Sequence, residues 1–147
     1  MDAAPINTTP SVVAGWETAS VGAAVEFSSP VIAKNGDVYV GALNGRLYAF
    51  ASNGSVKWSF QTGGAIQATP LIGKDGTVYI GSSDGFMYAI QDLGTSGRRA
   101  WAYKTAGPVT SSPVIDKGGY LYFASSDTDN RVIGVDALSG TAKRTPA

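Results

Sequence analysis

Ala68-Thr69-Pro70-Leu71-Ile72-Gly73-Lys74-Asp75-Gly76-Thr77-Val78-Tyr79-Ile80-Gly81 is the middle one of three related stretches. Ser28-Ser29-Pro30-Val31-Ile32-Ala33-Lys34-Asn35-Gly36-Asp37-Val38-Tyr39-Val40-Gly41 precedes it. Ser111-Ser112-Pro113-Val114-Ile115-Asp116-Lys117-Gly118-Gly119-Tyr120-Leu121-Tyr122-Phe123-Ala124 follows it. The three align without a gap, and chance does not produce such agreement. Working outward, Trp16, Trp58 and Trp101 stand 42 and 43 residues apart, with one aligned stretch after each. A fixed period of this length marks a repeat architecture, in which each unit buries its apolar faces only against its neighbours.

Further along each copy, Asn44-Gly45-Arg46-Leu47-Tyr48-Ala49-Phe50 matches Asp84-Gly85-Phe86-Met87-Tyr88-Ala89-Ile90. The third copy aligns more loosely, as Asn130-Arg131-Val132-Ile133-Gly134-Val135-Asp136 after a two-residue insertion. Gly54, Gly97 and Gly140 each stand four residues before a closing position, which is Trp58, Trp101 and then Arg144.

Four runs in the second copy favour strand, about 66–73, 77–82, 86–91 and 99–104, because they are rich in β-branched and aromatic residues. Lys74-Asp75-Gly76 and Ser83-Asp84-Gly85 separate the first three, and Asx-Gly pairs supply the positive φ angles of tight hairpin turns. Each copy therefore reads as a four-stranded antiparallel meander. Val78-Tyr79-Ile80 and Leu121-Tyr122-Phe123 are apolar on both faces, so each sheet is covered on both sides. Stacked four-stranded sheets of about 42 residues are β-propeller blades. The expected fold is all-β, with blades over about 16–57, 58–100 and 101–147 and a strand or linker over 1–15. Gly41, Gly81 and the matching Ala124 keep a small side chain where a strand meets its neighbour. The three tryptophans are read as packing between blades, and Tyr48, Tyr88, Phe86 and Met87 as core.

Composition narrows the function. The 147 residues include no Cys and no His, which removes thiolate metal sites, disulfides and a Ser-His-Asp triad. Eleven basic residues balance eleven acidic ones. The excess of basic residues after position 97, seven against four, is too small for a nucleic-acid surface. No apolar run is long enough to span a bilayer as a helix. Met1 to Gly15 lacks the basic and apolar regions of a signal peptide. The expected location is the periplasm or the cell exterior, with the leader absent from this chain; the cytoplasm stays open as an alternative.

Ser126-Asp127-Thr128-Asp129-Asn130 is the one clustered carboxylate segment, making Asp127, Asp129 and Asn130 weak metal candidates. Its spacing is not that of an EF-hand, since Arg131 stands at the fifth ligand place, so a polar turn is the preferred reading. Arg98 and Arg99 in the segment 93–99, with Asp127 and Arg131, are the candidate contact loops.

The series Trp58, Thr62-Gly63-Gly64, Thr69-Pro70, Asp75-Gly76-Thr77-Val78-Tyr79-Ile80-Gly81 and Asp84-Gly85-Phe86-Met87-Tyr88-Ala89 resembles the PQQ-like (quinoprotein-type) β-propeller repeat. The resemblance runs from about Trp16 to Arg144. It implies that Trp16, Trp58 and Trp101 dock one blade on the next. That family holds quinoprotein dehydrogenases, an outer-membrane protein assembly lipoprotein and many bacterial sensor and surface domains. The dehydrogenases use Glu, Asn and Asp around calcium, often beside a disulfide of adjacent cysteines. This chain has no Cys and only Glu17 and Glu26, neither in a recognisable site motif, so no cofactor is expected.

Three blades are fewer than a closed ring needs. Two open apolar flanks are expected, and with them self-association, two chains giving six blades. Ser11–Trp16 reads as the fourth strand of a preceding blade, with Val12–Trp16 able to pair with the third blade of another chain. The functional expectation is a non-enzymatic scaffold or protein-binding module. The alternative is a piece of a PQQ-dependent dehydrogenase propeller or of a glycan-binding surface protein.

Overall fold

The structure, a computed structural model, describes residues 18–126 and 130–143. Among these it is all β, with strands in three antiparallel sheets. The first sheet runs in chain order through β1 (Val31–Ile32), β2 (Val38–Gly41), β3 (Arg46–Phe50) and β4 (Val56–Gln61). The second repeats that order with β5 (Leu71–Ile72), β6 (Val78–Gly81), β7 (Phe86–Asp92) and β8 (Gly97–Lys104). The third holds β9 (Val114–Ile115), β10 (Tyr120–Ala124) and β11 (Val132–Asp136). Where its fourth strand would pair, a single bridge joins Val135 to Ala142. Trp58 lies inside β4 and Trp101 inside β8, so a copy counted from tryptophan to tryptophan opens within the sheet before it.

The turns form as their residues dictate. Asp75 Oδ1 accepts the Thr77 amide at 3.0 Å, and Gly76 takes φ +86° in the turn between β5 and β6. A side-chain acceptor two residues back, combined with a left-handed glycine, reverses the chain without loss of a backbone partner. Two expectations are corrected here. The run 66–73 is a strand only at Leu71–Ile72. Ahead of it the chain is a connector, its Ile66 amide donating to the Ala42 carbonyl and its Ala65 carbonyl accepting from Ser83. Pro70, which has no amide to give a ladder, stands at the boundary. In the third copy, Ala124 pairs with Val132 as Gly81 pairs with Met87. Asn130 therefore holds the place of Gly85, one position off the sequence alignment, and has φ +46°. Asn tolerates that left-handed region better than most side chains do.

The sheets stack face to face. Successive residues of a strand point to opposite faces, and all four residues of β6 are buried. Val78 and Ile80 join Tyr39, Leu47, Ala49 and Trp58 between the first and second sheets. Tyr79 joins Met87, Leu121, Phe123 and Val135 between the second and third. Burial of each Val, Leu, Ile, Met or Phe among them contributes about 1.5–3 kcal/mol. The expected open flank of the first sheet is corrected, because Val40, Tyr48 and Phe50 on its far face are buried, with Val21 and Ala23 packed against them.

The connectors wedge into these junctions. A Cβ on Gly41 would lie 2.1 Å from Ile66 Cγ2, and one on Gly81 would lie 2.5 Å from Val109 Cγ1. Gly81→Val is therefore expected to lower unfolding stability by about 3 kcal/mol, the upper part of the overpacking range. Urea titration measures this, and an unchanged midpoint would show that the junction has room to spare. The first connector differs from the others. Ala24, Ala65 and Pro108 accept from Leu43, Ser83 and Ser126, yet Ser29 stands five positions after Ala24, against four in the later copies. The extra residue is absorbed at Phe27, which takes φ +66° and is 76% exposed.

Candidate functional site

The chemistry of this chain is concentrated at the junctions between sheets. Trp58 projects from β4 toward the turn that joins β7 to β8. Its Nε1–H donates to Asp92 Oδ1 at 2.9 Å. Its ring lies against Gly97, where a Cβ would come within 2.6 Å of the indole. Trp101 repeats the arrangement one sheet on, donating to the Ala137 carbonyl at 2.9 Å and covering Gly140 at the same 2.6 Å approach. Tyr39 and Tyr79 accompany them, each with its ring centroid 5.9 Å from the tryptophan of its own sheet. The Tyr39 hydroxyl donates to Asp92 at 2.6 Å, and that of Tyr79 to the Ala137 carbonyl at 3.1 Å.

The first junction adds charge. Lys57 Nζ donates to Asp92 Oδ2 at 2.8 Å and forms a second ion pair with Asp37. These side chains are 17%, 13% and 9% exposed for Lys57, Asp92 and Asp37. Burial works to raise the Asp92 carboxyl, but hydrogen bonds from Lys57, Tyr39, the Gly94 amide and Trp58 outweigh it and bring it down to about 2. Burial likewise works to lower Lys57, and its two carboxylate partners hold it above the ordinary lysine value. Burial, then the hydrogen bond to Asp92, push the Tyr39 phenol well up.

Sequence reading missed this cluster. Its hydrogen bonds join residues 20 to 53 positions apart, from the turn ahead of β2, from β2 itself, from β4 and from the end of β7. A signal was nevertheless present: at the second junction the places of Asp37, Lys57 and Asp92 hold Thr77, Ala100 and Ala137, so three departures from the repeat occur together. A cleft of about 940 Å³ opens beside the cluster, lined by Ile32, Lys34, Lys57, Lys74, Asp75 and Asp92. A smaller one of about 270 Å³ occupies the equivalent place at the second junction, lined by Asp75, Tyr79, Ile115, Lys117 and Leu138 among others.

The remaining candidate residues fall elsewhere. Arg98 and Arg99 belong to strand β8, opposite Gln91 and Ile90, and not to a loop; the loop is Leu93–Ser96. Both arginines are exposed, and Arg98 donates to Gln91 Oε1 at 2.5 Å. Asn130 and Arg131 are exposed ahead of β11. Trp16, Asp127, Asp129 and Arg144 lie outside the described residues, as does the segment 11–16. Among the described residues, no group of three His, Cys, Asp or Glu side chains could hold a metal ion. Asp92 and Asp37 are both paired with Lys57.

Stacked four-stranded meanders, joined by a tryptophan from each fourth strand, define a run of PQQ-like β-propeller blades. From residue 12 to 144 the sequence matches the family described as outer membrane protein assembly factor BamB, and the chain belongs to that family. No curated protein matches it. Among solved structures it is similar to BamB from Moraxella catarrhalis, with 23% identity and a TM-score of 0.65 over 79% of this chain and 36% of that one. Quinohemoprotein alcohol dehydrogenase ADHIIG from Pseudomonas putida HK5 gives 22% identity and a TM-score of 0.69, covering 84% of this chain and 20% of that one. The quinohemoprotein alcohol dehydrogenase from Comamonas testosteroni gives 22% and 0.69, covering 83% and 21%. At these identities the likeness is one of fold. The chain spans about a third of the BamB length and about a fifth of the dehydrogenases.

Proposed function

We propose that this chain is a non-enzymatic β-propeller scaffold that binds protein partners and self-associates to complete its ring, in the periplasm. Membership of the BamB family supports the scaffold reading, since that family is described by its part in outer membrane protein assembly. The use made of its ionisable groups supports the non-enzymatic part: Asp37, Lys57, Asp92 and Tyr39 are engaged with one another across a junction. No helix among the described residues is long and apolar enough to cross a membrane. The repeats in this reading are counted from tryptophan to tryptophan as 16–57, 58–100 and 101–147, the second and third each opening within the last strand of the sheet before it, with Trp16, Trp58 and Trp101 as docking residues. Arg98 and Arg99 on the exposed edge strand β8, with Asp127 and Arg131, form the surface offered to partners.

The observation that carries self-association is Val132. It pairs with Ala124 as Leu47 pairs with Gly41 and Met87 with Gly81. Leu47 and Met87 are fully buried, whereas Val132 is 75% exposed. Light scattering is expected to give twice the single-chain mass of 15.1 kDa. A single-chain mass at all protein concentrations tested would refute the self-association.

A further inference from the structure

A ladder of hydroxyl groups links the three copies. The Ser29 amide donates to Thr69 Oγ1 at 2.9 Å, and the Thr69 amide donates to Ser112 Oγ at 2.9 Å. These residues precede Pro30, Pro70 and Pro113 in the aligned stretches. The ladder runs one way, from an amide of one copy to a hydroxyl of the next. Its two ends are left over, and they are complementary. Among the described residues, the Ser29 hydroxyl receives no amide and the Ser112 amide meets no hydroxyl; both residues are exposed.

The wedge contacts end in the same way. Ile66 and Val109, each the residue after a connector carbonyl that bonds its own sheet, are fully buried against Gly41 and Gly81 of the sheet before. Val25, which follows Ala24 in the same manner, is 42% exposed. Ala124, the counterpart of Gly41 and Gly81, sits at the other end of the chain with Val132 opposite it. The tyrosine series breaks there too. Tyr39 and Tyr79 reach across to the following sheet, whereas Tyr122 donates to Asp116 of its own.

We infer that the free flank of the third sheet takes the first connector, Val25 to Ser29, of a second copy of this chain, head to tail. Val25 of the second copy would sit against Ala124 and Val132, and its Ser29 hydroxyl would accept the Ser112 amide. This extends an interface that the chain already forms twice within itself. Such a contact is heterologous: the two surfaces differ, and each chain carries both. The inference rests on the self-association proposed above and adds to it the two surfaces and their polarity.

Two experiments on the full chain test it. Because the chain has no Cys, Ser29→Cys and Ser112→Cys variants carry one thiol each. Oxidised with diamide, a mixture of the two is expected to give a two-chain product on a non-reducing gel, and neither alone is. The intrachain pair Thr69→Cys with Ser112→Cys, which occupies the same rung, sets the yield to be matched. Val132→Arg, at a site already exposed, is expected to reduce the solution mass to one chain while the far-ultraviolet circular dichroism of the strands stays unchanged. A wild-type single-chain mass would overturn both this inference and the self-association beneath it. A multimeric wild type overturns the head-to-tail contact alone if Val132→Arg leaves the mass unchanged, if the mixture gives no two-chain product, or if one variant cross-links with itself.

Discussion

Trp58→Ala is expected to lower unfolding stability by about 4 kcal/mol, the range for removal of a large buried aromatic side chain. Trp58 is 6% exposed, packs at a tilt against Tyr39 and covers Gly97, so its loss leaves a void between two sheets. The void also strips one hydrogen bond from Asp92. Trp58→Phe is expected to fall between wild type and Trp58→Ala. It loses the Nε1–H donor, worth roughly 1 kcal/mol, together with part of the indole that lies against Gly97. Urea titrations of both variants give the comparison. Trp101→Ala makes a useful third measurement, because Trp101 is more exposed and bonds a backbone carbonyl instead of a carboxylate. Its cost is expected to be smaller. Equal and small costs for all three variants would refute the docking role.

Asp92→Ala is expected to cost about 3 kcal/mol at neutral pH, because it removes one partner of a buried ion pair and leaves Tyr39 and Trp58 without their acceptor. The loss has a pH signature. The folded-state carboxyl lies near 2, below its ordinary value of 3.8, so its contribution is complete above about 3.8 and is lost as the pH falls through 2. That shift corresponds to roughly 2 kcal/mol. Lys57 is raised, so its contribution is present below the ordinary lysine value and lost above the folded one. Urea unfolding at pH 7 and at pH 2 should thus show the gap between wild type and Asp92→Ala closing in acid. A gap that stays constant over that interval would mean that Asp92 is not the acid-sensitive element of the junction.

The blade was legible because its signals are local. Asp75-Gly76 and Asp84-Gly85 mark turns through their own backbone preferences, and Val78-Tyr79-Ile80 shows by its lack of alternation that both faces are covered. Repetition multiplied that information threefold. The strand limits were less legible. The apolar Ile66 looks like part of a strand, and only its position against Gly41 shows that it is a wedge in a connector. The one-residue offset at Asn130 escaped for a related reason: register is set by pairing with β10, not by residue likeness.

By itself the sequence determined the class of the fold, the order of strands within each sheet and the small residues the junctions require, since these follow from period, turn chemistry and side-chain volume along one stretch of chain. The tertiary structure alone decided that Asp37, Lys57 and Asp92 meet, that the far face of the first sheet is covered, and that Ser29 and Ser112 are the two ends of one ladder. Those facts depend on distances between residues 17 to 83 positions apart, which no local preference encodes.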